Sequence, residues 1–536
     1  MLQSRTQRPE WLPAVALSSA LAALMLAWNP QVGDLAAQVF RTELFQHAGL
    51  AIWNGSWYGG HYTLTYSFLF PPLASLLSPQ IVGSLSVVAS SYLFDRLVRD
   101  RWGEESRWAT LWFAAGVVTL LADGQLTFAL GVAFGLASLR ALQTGRSRLA
   151  LAASIACALS SPVAAVFLSG IVLAGSLQHG RPFNRPAIWV SALALALIVV
   201  PNLAFPEPGE FPFAFSSFVA IPLWCGSALY MTRGLRREEA QLRWAIAAYL
   251  VASCVIWLVP NPLGGNAVRL GALFGGPVLA AVALAHRPRV PLWFLALFMA
   301  GGLYWQLTAS VSQIARSVGD PSTSAAYFHP AAHWLSAHGG SGVRVEVPPT
   351  ANHWESAYLA NRFELARGWL RQLDTTRDDI FYDDGELTDA AYGRWLRTNG
   401  ISYVLLPDAP LDYSSVAERR LILTEPAYLD LRWRSAHWSV YAVRDPQPLV
   451  RPMGGAQGHA LWIGRQGFGL DVSRPGEFLV RVSFTPYWSI VRGAGCLWRR
   501  GEWTVARASH PGVLRVAADF SVGGAWNAVT GACKTC

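Results

Sequence analysis

Two charged residues stand out of line in the apolar N-terminal half of this sequence. Asp34 follows the first apolar run, and Arg269 sits at the head of a late one. A carboxylate can take a proton from a hydroxyl, and a guanidinium can hold an anion through paired hydrogen bonds. Other polar residues fall in loops that read as lying on the same side: Arg41, Glu43, His47, His61, Asp123, Glu207 and Glu210, with the aromatics Trp57 and Tyr58. Each also has an ordinary reading. Asp34 precedes an amphipathic stretch and suits a helix N-cap. Glu43 and His47 are four apart and suit a solvated pair on one helix face. His61 suits a satisfied structural histidine. Asp123-Gly124-Gln125 has the residues of a tight turn. Arg269 suits an anchor at the edge of an apolar segment. Pro206-Glu207-Pro208-Gly209-Glu210 reads as a linker or a mobile lid. No phosphate-binding loop, zinc helix, dinucleotide fingerprint or nucleophile elbow is present.

These residues must be positioned by apolar surroundings. The chain has 536 residues, of which 53% are hydrophobic and 14% charged, against roughly 25% charged in an average soluble protein. A fully disordered, fibrous or single soluble domain is excluded. The charge is unevenly spread: residues 1–315 hold 12 acidic and 19 basic residues, and residues 316–536 hold 21 and 23. The first part therefore reads as a membrane region and the second as an ordinary globular one. About eleven apolar runs are expected to span, near 11–28, 79–94, 107–122, 125–139, 148–161, 162–178, 187–204, 213–231, 244–259, 267–285 and 290–310. Several are short for the roughly 17–25 residues a span needs. Pro162 separates 148–161 from 162–178.

If all eleven cross, 17 of the 19 basic residues of this part fall on one side, the exceptions being Arg41 and Arg269. The positive-inside rule then places the N-terminus in the cytoplasm and residues 316–536 outside. The first run lacks a small-residue cleavage site before its polar loop, so a cleaved signal peptide is not expected. The net charge of +9 is not a nucleic-acid signal, because the arginines cluster neither on one face nor beside an RNA-binding motif.

The first outer loop, 29–78, is long. Within it Leu35, Ala36, Val39, Phe40, Leu44 and Ala48 recur at helical spacing, with Asp34, Gln38 and Arg41 on another stripe. Such a helix is expected to rest on the membrane surface, its polar stripe toward water or a cavity. The aromatics of Trp53-Asn54-Gly55-Ser56-Trp57-Tyr58-Gly59-Gly60-His61-Tyr62 suit the membrane interface, and Phe70-Pro71-Pro72-Leu73 starts a short helix.

The tail divides into an α/β region, 316–450, and a β-sandwich-like region, 451–536. Helices are expected at 325–338, 354–373 and 390–398, and strands at 343–347, 401–406 and 438–443. From about 455 to 530 the pattern is strand and turn, with strands at 478–484, 489–491 and 512–516. Tyr487, Trp488, Trp498 and Trp503 read first as core and second as platforms for sugars. Asp378-Asp379 and Asp383-Asp384-Gly385-Glu386 lack calcium-loop spacing and read as a solvated loop. Cys157, Cys225 and Cys254 lie in apolar runs and read as small fillers. Among Cys496, Cys533 and Cys536, one disulfide from Cys496 to either of the others is the candidate.

Gly33-Asp34 after the first run, the Trp- and Gly-rich segment, Pro71-Pro72 and Asn266-Ala267-Val268-Arg269-Leu270 together resemble the GT-C superfamily of polytopic membrane glycosyltransferases. The resemblance covers about 1–315. It implies an α-helical membrane bundle with an exported C-terminal region, in the cytoplasmic membrane of a bacterium. It implies a polyprenyl-phosphate-linked sugar as donor and a cell-envelope glycan or lipid as acceptor, with membrane lipids around and no nucleic acid. Asp34 would be the catalytic base and Arg269 would hold the lipid phosphate. Arg41, Glu43, Trp57, Tyr58, His61 and Asp123 are candidates to contact substrate. The paired Asp-x-Asp of some members is absent, since position 36 is Ala36. A divalent cation therefore stays open, and no other cofactor is expected. The alternatives are a transporter or flippase of lipid-linked sugars, against which stand the lack of repeats and of ionisable residues at span centres, and a non-catalytic envelope-glycan-binding protein.

Overall fold

The structure is a computed structural model and describes residues 11–176, 185–207, 209–235, 240–287, 290–339, 342–383, 385–531 and 534–535. The chain forms two compact units. The first comprises 1–38, 66–199 and 210–315, and the second 39–65, 200–209 and 316–536.

The first unit is helical. Every one of the eleven apolar runs is helical over most of its described length. Among the described residues, seven helices are long and apolar enough to cross a membrane: Pro79–Trp102, Leu126–Gln143, Arg185–Ala204, Phe215–Thr232, Gln241–Leu258, Gly264–His286 and Leu292–Ser317. The pair Leu12–Trp28 and Gly33–Ala48, bent by 79° at its break, makes an eighth if taken as one span. Helix length thus gives seven or eight spans and not the expected eleven. Run 107–122 is broken into Arg107–Gly116 and Thr119–Ala122, and Pro162 holds Ser147–Ser160 and Pro162–Ser176 apart. At 1.5 Å per residue these are shorter than the roughly 30 Å of a hydrocarbon core.

The helix Gly264–His286 is irregular. It opens as a 3-10 turn, passes through Val268–Leu270, widens into a π turn at Gly271–Gly275 and resumes at Gly276–His286. Tryptophans explain its glycines. A Cβ on Gly271, Gly275 or Gly276 would lie 2.4, 2.6 or 2.4 Å from the rings of Trp305, Trp224 and Trp112.

The second unit holds three main sheets. One orders the strands Glu364–Leu365, Arg344–Glu346, Ile401–Pro407, Trp438–Val443 and Leu429–Arg434, the first three parallel and the last two antiparallel. Helices Ala325–His338, Asp389–Thr398 and Val416–Ile422 accompany it. A five-stranded and a four-stranded antiparallel sheet follow. Their inner faces share one core that includes Phe468, Leu470, Phe478, Val480, Trp488 and Val516, so this region is a sandwich.

Four expectations are corrected. The segment 354–373 is not one helix: Glu355–Tyr358 is followed by the edge strand Glu364–Leu365 and then by Arg371–Arg377. Strand pairing overrides the helical pattern there, because Leu365 N donates to Ser56 O at 2.9 Å and Ala366 N to Val345 O at 2.8 Å. The end of the sandwich region is not all strand, since Val522–Thr530 is a helix capped by Ser521. The polar stripe of Gly33–Ala48 does not face open water: Gln38 and Arg41 are buried along with Leu35, Phe40 and Leu44. Finally, Trp53 and Trp57 do not lie on the protein surface but are buried. Strands Trp53–Asn54 and His61–Tyr62 form a hairpin, and Trp53 enters the sandwich core beside Trp488, ring centroids 5.6 Å apart.

The hairpin needs its glycines. Gly60 has φ +127°, and a Cβ there would fall 2.1 Å from the Trp53 ring. Gly60→Ala should cost about 1–3 kcal/mol, read as a lower thermal midpoint of the detergent-solubilised chain. Gly523→Ala, with nothing within 4 Å, should leave the midpoint nearly unchanged.

Candidate functional site

Asp34 lies in the first turn of helix Gly33–Ala48. Against that turn packs the short connection Asp123-Gly124-Gln125. Gly124 has φ +72°, and a Cβ on it would lie 2.6 Å from Leu35 N and 3.1 Å from Asp34 Cβ. Glycine is therefore required both by conformation and by the close approach. Asp123 is only 7% exposed. Burial is the largest influence on it and pushes its pKa up to about 7; the Ser310 hydrogen bond opposes this, the charge of Asp34 adds to it and that of Arg269 opposes it. Its Oδ1 is buried with no hydrogen-bond partner. Arg269 is half-buried, its guanidinium 5.4 Å from the centre of the Phe128 ring. Phe128 begins the helix that leaves the Asp123 turn. A small pocket of about 20 Å³ lies nearby, lined by Asn29, Leu35, Gln80, Ser84, Leu121 and Leu126 among others, and by none of Asp34, Asp123 and Arg269.

Three segments far apart in sequence thus bring Asp34 and Arg269 each into electrostatic reach of Asp123 within the helical unit. One of the carboxyl oxygens, Asp123 Oδ1, is buried without a hydrogen-bond partner. Together they can take up a proton and hold an anion. Among the described residues no group of three or more His, Cys, Asp or Glu side chains is arranged to hold a metal ion.

The other candidates gather in the second unit. Trp57 stacks on Phe40 at 4.3 Å and on His61 at 5.2 Å. His61 is buried, and burial first, then Arg377 and Arg41, lower its pKa to about 3, so it is neutral at physiological pH. Tyr58 donates to Leu370 O at 3.2 Å. Glu43 accepts from Asn361 Nδ2, while His47 Nδ1 meets the backbone oxygen of Glu43 at 2.7 Å, so the expected Glu43–His47 side-chain pair is replaced by these two contacts. Glu207 is pinned as well, accepting from Tyr62 N at 2.6 Å and pairing with Arg377 at 3.0 Å. Tyr487 and Trp488 lie in the sandwich core. Cys496 is disulfide-bonded, while Cys157, Cys225 and Cys254 are free; Cys533 and Cys536 lie outside the described residues.

Two features escaped the sequence reading. Ser310, on a helix remote in sequence, bonds Asp123 and carries no motif. In the α/β region Arg367, nearly inaccessible, forks onto Asp374 at 3.1 and 2.6 Å and reaches Glu418 at 3.4 Å. Burial raises the pKa of Glu346, Asp378 and Glu418 around it. Asp378, expected in a solvated loop, is buried and accepts from Trp395 Nε1 at 2.8 Å. Its indole partner, seventeen residues on, gave no local signal. Asp384 lies outside the described residues.

No protein-family model matches the chain, and no curated protein matches it.

Asp123 gives a pH test. An exposed aspartate ionises near pH 3.9, whereas this one holds its proton to about pH 7. Between those values the unfolded chain loses a proton that the folded chain keeps, so stability falls as pH rises through the window. Asp123→Asn should flatten that fall, measured as thermal midpoint against pH in detergent. A variant curve parallel to that of the parent would show that Asp123 ionises normally.

Proposed function

We propose that the protein is a membrane glycosyltransferase that moves a sugar from a polyprenyl-phosphate donor to a cell-envelope glycan or lipid acceptor. The convergence of Asp34, Asp123 and Arg269 carries the reading. In the reaction the acceptor hydroxyl oxygen bonds to the anomeric carbon as the bond from that carbon to the phosphate oxygen breaks. The hydroxyl proton passes to Asp34, and the departing lipid phosphate keeps the bonding electrons. Arg269 offsets the charge that develops there. With its pKa pushed up to about 7, Asp123 carries its proton for a large share of the time at neutral pH and in that form can donate a hydrogen bond to substrate.

The bundle is read as eleven crossings, the shorter helices Arg107–Gly116 with Thr119–Ala122, Ser147–Ser160 and Pro162–Ser176 included. Arginine sorting supports an N-terminus in the cytoplasm of a bacterium and a C-terminal region outside, where the site would open. The disulfide at Cys496 fits an oxidising exterior. A transporter of the same lipid-linked sugars is the second reading, favoured by the irregular Gly264–Gly275 stretch, since broken helices mark many transporter sites.

Asp34→Asn keeps size and much of the helix cap. In membranes supplied with labelled polyprenyl-phosphate sugar, it should lower transfer by about 100-fold or more. Full transfer by a folded Asp34→Asn chain would remove the base assignment, and lipid movement without transfer in the parent would favour the transporter. Arg269→Ala should raise the donor KM and leave the acceptor KM unchanged; equal effects on both would make Arg269 structural.

A further inference from the structure

The second unit carries an outward apolar stripe that neither its core nor the proposed chemistry uses. Helix Val522–Thr530, sequence VGGAWNAVT, contains no charged residue. Its inner face is small: Gly524 sits against the Tyr487 ring, where a Cβ would lie 2.7 Å away, and Ala525 and Ala528 pack on the sandwich core. Its outer face is large and apolar. Val522, Trp526 and Val529, four and three residues apart, are 80%, 69% and 56% exposed, and Phe520 just before them is 61% exposed. Surface helices ordinarily show the opposite order, apolar inward and polar outward. An exposed apolar patch of this kind marks an interaction surface.

The neighbourhood names the partner. Phe520 packs on Tyr487 and Phe205, centroids 6.0 and 6.3 Å apart. Tyr487 Oη donates to Ala204 O at 2.7 Å. Ala204 is the last residue of Arg185–Ala204, one of the helices apolar and long enough to cross a membrane. The last turn of that helix belongs to the same unit and turns Val200 and Leu203 outward. The stripe thus lies beside the apolar end of a helix where it would leave the hydrocarbon, the buried Phe205 packing beneath the exposed Phe520.

We propose that the Phe520, Val522, Trp526 and Val529 face lies in the interfacial layer of the lipid bilayer and anchors the second unit to it. Side chains of this type settle about 5–10 Å into the boundary of headgroups and acyl chains. The Trp526 indole suits that layer, its ring in the acyl region and its N–H toward headgroups. The proposal rests on the apolar helices crossing a bilayer and is independent of sugar transfer.

The full chain, reconstituted in phosphatidylcholine nanodiscs, tests it. An environment-sensitive fluorescent amino acid is incorporated at position 526, at 522 in a second preparation, and at 510 as control. His510 is exposed and precedes strand Gly512–Ala518, whose seven residues separate it from Phe520 by about 20 Å. Lipids carrying a nitroxide near the headgroup should quench the labels at 526 and 522 severalfold more than the label at 510. Aqueous iodide should do the reverse. Labels at 526 and 522 quenched by iodide as strongly as at 510, and not by lipid, would overturn the proposal. Labels shielded from both quenchers would assign the face to a protein partner or a second copy, and would overturn it equally.

Discussion

A charge taken out of water must meet an opposite charge or be given up, and this constraint shapes both units. In the helical unit few ionisable groups are present, so the position of each one has consequences. Burial, aided by the charge of Asp34, pushes the pKa of Asp123 up, and the Ser310 hydrogen bond and the charge of Arg269 oppose that rise. In the α/β region Arg367 is held by Asp374 and Glu418, and the surplus carboxylates around it retain protons for the same reason. In the Arg367 set Tyr392 donates to Glu418 and Trp395 to Asp378, while both oxygens of Glu346 are buried without a partner. The Asp123 set likewise leaves Oδ1 without a partner.

Glycine sets how closely these groups approach. Gly124 lets a turn meet the first turn of a helix at backbone contact distance, which brings Asp123 to Asp34. Gly271, Gly275 and Gly276 accept tryptophan rings against the backbone, and the helix that bears Arg269 loses its regular winding over that stretch. The proposed phosphate-holding Arg269 therefore sits beside a stretch where α-helical hydrogen bonding is least regular, the setting in which π turns are often found at functional sites.

Much of this was legible in sequence and some was not. Apolar run length and proline position located the helices, because burial in an apolar setting depends on local composition. Alternation and turn residues located strands 401–406 and 438–443, which appear as Ile401–Pro407 and Trp438–Val443. What failed were features set by contacts distant in sequence. Glu364–Leu365 is a strand because Arg344–Val345 and Ser56 pair with it. The Trp53–Tyr62 hairpin belongs with a sandwich formed some four hundred residues later. Val522–Thr530 has two glycines and poor helix propensity, and the Ser521 cap and the packing of Gly524, Ala525 and Ala528 hold it. Asp34 and Arg269 were legible as charges out of place. Their link through Asp123 was not, since Asp-Gly reads as a turn wherever it occurs.

In the proposed reaction the meeting point of Asp34, Asp123 and Arg269 receives the phosphate end of a polyprenyl-phosphate sugar. The most direct measurement is photo-crosslinking in native membranes, with a donor analogue carrying a diazirine on the isoprene unit next to the phosphate, followed by peptide mapping. The account predicts adducts within residues 29–35, 121–126 and 266–270, suppressed by excess unlabelled polyprenyl phosphate. Competed adducts confined to other segments, or adducts indifferent to the competitor, would contradict it.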